Sequence, residues 1–227
     1  MHIAPEPEDL IERHIIRILF ILYFCSDNNQ EIAFTLPMFT ESVRILNSES
    51  KLQKIDFWIR YPDHLAAALL RGCETKGIGS FNLIARQEEV RQVVRQIFDN
   101  QEPVLRWTPM RKYLRGAYEP LDKVMTFLSS RDLAYRRVTE QGHRVQYELT
   151  LQGHTVVEKL LGECPETHWY AERCKLIADF FGHLNGFEIR KLQYLETEYA
   201  DTAHEHNIAR IDTEIRQRFE RLFGETL

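Results

Sequence analysis

The chain has 227 residues, 44% hydrophobic, 28% charged and 11% aromatic, which gives material for one large or two small domains and excludes disorder over most of its length. Ten Gly, eight Pro and four Cys exclude collagen-like, low-complexity and disulfide-scaffold sequences. The formal net charge of −5, from 29 basic and 34 acidic groups, is a poor global signature for a nucleic-acid binder.

In chain order, Glu8 to Cys25 carries Leu10, Ile11, Ile15, Ile18, Leu19, Leu22 and Tyr23 at helical spacing. Its apolar run from Ile15 to Cys25 contains Arg17 and falls short of the roughly 20 residues of a membrane span. The segment before it holds Glu6, Glu8 and Asp9 where a secretion signal carries basic residues, so a cytoplasmic protein with no membrane partner is expected. Residues 31–36 read as a short strand and Pro37 to Leu46 as a helix with Phe39, Val43 and Leu46 inward. Lys51 to Arg60 and Asp63 to Cys73 are helices, the second opened by Pro62. Gly72 to Gly79 is a loop, and Arg86 to Phe98 is a helix striped by Val90, Val93, Val94 and Ile97.

Beyond the break at residues 99–103, Pro120 opens a helix to about Arg131, lined by Leu121, Val124, Met125 and Leu128. The period then changes from helical to alternating. Tyr135 to Thr139 and Arg144 to Thr150 flank a turn at residues 140–143, which predicts a two-stranded hairpin. Thr150 is placed to cap a helix running to about Leu161. The remainder reads as helices over Thr167 to Phe181 and Phe187 to Tyr199, with a last one after Thr202, which has capping-box spacing to Glu205. Ile208, Ile211, Ile215, Phe219 and Leu222 form a stripe there that must pack on the protein's own body or on another chain.

Helix, hairpin and helix, with Leu149, Thr150 and Gly153 closing the second strand, resemble the wing end of a winged helix-turn-helix domain. The expected fold is mainly α: an N-terminal helical module over 1–99 that is a degenerate winged helix in one version of this reading, a winged-helix module over 100–162 with a small β-hairpin wing, and a C-terminal helical extension over 163–227. The window from Pro103 to His154 has nine Lys or Arg against five acids, about +4, and leaves the rest at about −9. Arg106, Arg111, Lys112, Arg115, Lys123, Arg131, Arg136, Arg137 and Arg144 are therefore the candidate DNA-phosphate ligands, weighed against an ordinary solvated surface. The helix lacks the Asn, Gln and Arg cluster of a base reader, which favours nonspecific contact.

No metal or cofactor is expected. Cys25, Cys73, Cys164 and Cys174 form no CxxC pair and read as free thiols, and the spacings of Cys164, His168, Cys174, His204 and His206 fit no zinc finger or knuckle. Gly72 to Gly79 lacks the glycine spacing and Lys-Ser pair of a phosphate-binding loop. Ser129, Ser130, His143 and His154 make a triad only through contacts that the sequence does not show, so no catalytic residue is assigned.

Two segments carry a family resemblance. Leu52-Gln-Lys-Ile55-Asp56-Phe57-Trp58-Ile59-Arg60-Tyr61-Pro62 is similar to a Leu-Asp-Phe-Phe-x-Arg-Tyr-Pro-like segment of the middle components of bacterial ABC-three-component systems, including Lamassu-type defence operons. Met110-Arg-Lys-Tyr113-Leu-Arg-Gly-Ala-Tyr118-Glu-Pro-Leu-Asp122, running into Leu128-Ser-Ser-Arg131-Asp-Leu133, resembles the basic-aromatic lead into their winged-helix segment. With the helical pair from Ala171 to Leu192, the likeness covers about two-thirds of the chain. It implies a non-catalytic adaptor that bridges an SMC-like ATPase to an effector, commonly a nuclease, in defence against phage or plasmid DNA. On that reading Trp58, Arg60, Tyr61, Ile208, Ile211, Ile215, Phe219 and Leu222 hold protein partners, and the basic window touches double-stranded DNA. Asp56 and Arg60 also read as an ordinary i, i+4 helix-surface pair. The alternative is a homodimeric winged-helix transcriptional regulator, which reads half-sites about one helical turn apart.

Overall fold

The structure, a computed structural model, describes residues 7–28, 42–74, 81–101, 109–114, 116–138 and 145–227. In chain order these form α1 (Pro7–Phe24), β1 (Asp27–Asn28), β2 (Ser42–Leu46), α2 (Glu49–Arg60), α3 (Pro62–Glu74), α4 (Gln87–Asp99), β3 (Arg111–Tyr113), β4 (Gly116–Tyr118) and α5 (Asp122–Ser130). They continue with β5 (Ala134–Val138), β6 (Val145–Thr150), α6 (Leu151–Glu163), α7 (His168–Phe181), α8 (Gly186–Gln193), α9 (Thr197–Asp201) and α10 (Asp212–Phe223). The protein is mainly helical with a small antiparallel sheet. Among the described residues no helix is long and apolar enough to cross a membrane.

The chain divides into two compact units, each built from two separate stretches: residues 1–56 with 119–186, and residues 57–118 with 187–227. These do not follow the linear boundaries expected near residues 99 and 162. Compactness is set by contacts between residues far apart in sequence, and the chain passes from one unit to the other within α2.

In the first unit the sheet order is β1-β2-β6-β5, all neighbours antiparallel. Strand β6 is central, so Tyr147 and Leu149 are fully buried, together with Ile18, Phe20 and Leu22 of α1, Val124 and Leu128 of α5 and Val157 of α6. Residues 42–46, expected at the end of a helix, form strand β2 instead. Ser42-Val-Arg-Ile-Leu46 is short enough to suit either period, and pairing with β6, Ser42 opposite Thr150 and Leu46 opposite Tyr147, decides it. The expected strand over 31–36 and the start of that helix lie outside the described residues.

The β6–α6 junction follows the sequence reading. Thr150 Oγ1 accepts from the Gly153 amide (2.9 Å) and donates to the Asp132 carbonyl (2.6 Å), capping α6 while tying it to the turn after α5. A Cβ on Gly153 would stand 2.1 Å from the Leu133 carbonyl oxygen. Helix propensity alone makes Gly→Ala favourable by about 1 kcal/mol, but the carbonyl contact reverses the sign. Gly153→Ala is expected to destabilise the protein by about 1–3 kcal/mol, read by urea unfolding; an unchanged or higher midpoint would show that this close approach is absent in solution.

The second unit packs Leu65, Leu69 and Leu70 of α3 with Val90, Val94 and Ile97 of α4 and Ile215 and Phe219 of α10, all buried. Phe57 stacks on Tyr61 (4.6 Å between centroids) and meets Tyr199 edge-on (5.2 Å). The start of α3 clamps the extended chain that enters α10. Tyr61 donates to the Ile208 carbonyl (3.2 Å), the His64 ring lies 2.9 Å from the Ala209 carbonyl, and fully buried Asp63 accepts the Ile211 amide (2.6 Å). The final helix therefore begins at Asp212 and not after Thr202. Thr202 Oγ1 donates back to the Glu198 carbonyl (2.6 Å), so it closes α9 where the spacing pointed to a cap opening the next helix. The single helix expected over 187–199 is likewise two, α8 and α9.

Candidate functional site

Of the nine basic residues singled out by sequence, Arg106, Arg115 and Arg144 lie outside the described residues. Lys123, Arg131, Arg136 and Arg137 belong to the first unit, whereas Arg111 and Lys112 belong to the second. One basic window in sequence is thus divided between two compact bodies.

In the first unit α5 leads through a tight turn into β5. Asp132 there takes a left-handed conformation (φ 59°) that Asp tolerates better than most residues, and the Leu133 amide returns to the Leu128 carbonyl (2.9 Å). Lys123 is exposed on the first turn of α5, and Arg131 follows its last turn with its guanidinium 3.7 Å above the Phe127 ring. Arg136 and Arg137 project from β5 with about two-fifths of each side chain exposed. Both have acidic neighbours: Arg136 lies 3.8 Å from Glu49, and Arg137 lies 3.1 Å from Glu148, a buried carboxylate that also accepts from Ser42 Oγ (2.6 Å). This surface offers permanent cations to an anion, partly offset by its own carboxylates.

Lys112 does not belong to such a surface. Its ammonium is buried at the end of α9, donating to the carbonyls of Ala200 (2.5 Å) and Thr202 (2.9 Å), with the Tyr194 ring 5.2 Å away. Burial pushes its pKa below the ordinary lysine value, against a smaller opposing pull from Asp201. Arg111 is exposed on the β3–β4 hairpin, an element the sequence reading missed. Its signal was the Arg-Gly pair at 115–116, since Gly116 takes a positive φ of 99° at the turn.

The expected partner-binding residues are core. Trp58, Arg60, Tyr61, Ile208, Ile211, Ile215 and Phe219 are each at most 4% exposed, and Leu222 is half-buried. The apolar stripe of the tail packs against α3 of its own unit. Asp56 is equally buried and forms an ion pair with Arg17 of α1, so the expected helix-surface setting of Asp56 and Arg60 is corrected: both side chains are buried.

Sequence also missed the cluster of His14, Asp56 and Glu119 in the first unit, whose donor atoms lie within 4.8 Å of one another. His14 Nδ1 stands 3.8 Å from Glu119 Oε1. The Arg17 guanidinium on Asp56 compensates the carboxylate charge and would repel a divalent cation, so the arrangement is that of a buried ion-pair network. Among the described residues the catalytic candidates are not assembled: Ser129 and Ser130 donate to their own helix carbonyls (2.7 and 2.9 Å) and the His154 ring lies against Tyr23, while His143 is outside the described residues. Cys25, Cys73, Cys164 and Cys174 are free thiols. Compared with known protein families, characterised proteins and solved structures, the chain matches none.

Proposed function

We propose that the first unit is a winged-helix module that contacts double-stranded nucleic acid nonspecifically through phosphates, as part of a non-catalytic adaptor joining an SMC-like ATPase to an effector. The observation that carries this reading is the β2-β6-β5 order with α5 leading into the β5–β6 hairpin. First strand beside third and third beside second is the strand order of a winged helix. Lys123 and Arg131 at the two ends of α5, with Arg136 and Arg137 on β5, give it a cationic edge. The exposed positions of α5, Asp122, Lys123, Thr126 and Ser130, include no Asn, Gln or Arg to read base edges. The adaptor role rests on the two quoted sequence segments; with the Trp58 region and the tail in the core, its partner surface lies elsewhere on the chain.

The duplex contact is tested by fluorescence anisotropy on a random-sequence DNA duplex across a salt series. Binding is expected to weaken with salt, and Lys123→Gln with Arg136→Gln is expected to lower the slope by about two, one for each phosphate ligand removed. Absence of binding at low salt, or an unchanged slope, would overturn the contact. Purification of the tagged protein from its host with nuclease treatment tests the adaptor: a coiled-coil ATPase should co-purify, and a lone homodimer on one defined DNA site would refute it.

A further inference from the structure

The first unit has an open cavity of about 520 Å³ framed by α1, α5 and α6, within the 300–1,000 Å³ range of small-molecule sites. Ile15, Leu19 and Leu133 form its buried floor, and Phe127, Val156 and Leu160 its half-buried walls. Three polar side chains, from Glu12, Arg131 and Gln152, stand among them. The Arg131 guanidinium lies over the Phe127 ring and its Nη1 donates to Ser130 Oγ (3.2 Å), while Gln152 Nε2 donates to the Arg131 backbone carbonyl (3.1 Å). Among the described residues no carboxylate pairs with it. A guanidinium seated over an aromatic ring beside an apolar cavity, with N–H donors unspent, suits the two-oxygen face of a carboxylate. Glu12, on α1, is exposed and opposes an anion, but nothing comparable holds its side chain.

We propose that this cavity binds a free apolar monocarboxylate, its hydrocarbon body on the Ile15, Leu19 and Leu133 floor and its head on Arg131. The site shares Arg131 with the cationic edge proposed for the duplex contact, but its test needs no DNA and reads the cavity alone.

Isothermal titration of the intact chain with octanoate, 1-octanol and octylammonium separates head-group recognition from apolar partition. Octanoate is expected to bind at least about tenfold more tightly than either of the others, a difference that one charge-assisted bidentate contact can supply. Arg131→Gln, at an exposed position, should bring octanoate down to the level of octanol, and Glu12→Gln should tighten it. Val156→Trp, which fills the cavity, should abolish binding of all three with the circular dichroism spectrum unchanged. Equal affinity for octanoate and octanol, preference for octylammonium, an Arg131→Gln variant that binds octanoate normally, or no heat at millimolar ligand would each overturn the site.

Discussion

Trp58→Ala is expected to lower the stability of the isolated chain by about 3–5 kcal/mol, the cost of deleting a large aromatic side chain from a packed interior. Trp58 is fully buried, as are Phe57 before it and Leu65 and Leu69 on the next helix. A tryptophan serving as an interface anchor would behave differently: its truncation would cost affinity for a partner and leave the unfolding midpoint of the free protein close to wild type. Chemical denaturation of the purified chain distinguishes the two. A midpoint that is unchanged in Trp58→Ala would return this residue to the surface. Trp58→Phe keeps an aromatic ring in the same space and should recover much of the loss, which separates lost packing from a chain that has failed to fold.

The burial of Trp58, and of Ile215 and Phe219 with it, shows what a sequence pattern leaves open. An apolar stripe states that a helix has a face to bury; it does not name what buries it. In the tail the partner is α3, about 150 residues earlier in the chain, and no local pattern encodes that distance. Local signals did better. Thr150 and Gly153 marked a cap that the structure contains, and the alternation of Val145, Tyr147 and Leu149 marked the hairpin strand beside β5. The same local rules went astray at Thr202, because a hydroxyl with capping-box spacing can equally close the preceding helix, and at residues 42–46, where a five-residue segment with three apolar positions takes its conformation from a strand more than 100 residues away. The two interleaved units have that origin too: continuity in sequence suggested one basic face from Arg106 to Arg144, and long-range packing divides it. Lys112 illustrates what charge counting loses, since a buried ammonium on two carbonyls contributes to net charge and nothing to an anion-binding surface.

Glu196→Gln is the second large effect expected, and its pH dependence identifies the cause. Glu196 is buried at 3% exposure and accepts two hydrogen bonds from Arg218 (3.1 and 3.0 Å) and a third from Arg71 (2.8 Å). Neutralising the carboxylate leaves two guanidiniums without their main counter-charge, one of them buried, and breaking such an arrangement by removing one partner costs about 3–5 kcal/mol. Burial acts to raise the Glu196 pKa, and the hydrogen bonds and charges of Arg71 and Arg218 outweigh it, so the net shift is downward. A carboxyl whose pKa is lower folded than unfolded contributes stability that is complete above the unfolded value and is lost as the pH falls through the folded one. Wild type should therefore lose this contribution in acid, below about pH 4.5, and Glu196→Gln should lack that part of the profile. Glu214, also on Arg218, has the opposite sign: burial and its interaction with Glu198 raise its pKa, so protonation as the pH falls favours the fold and offsets part of the loss. The difference between variant and wild type across pH isolates Glu196 from that offset. It should be large at pH 7 and shrink as the pH falls into the acid range, whereas a difference that stays constant with pH would assign the cost to altered packing and reject the ion-pair account.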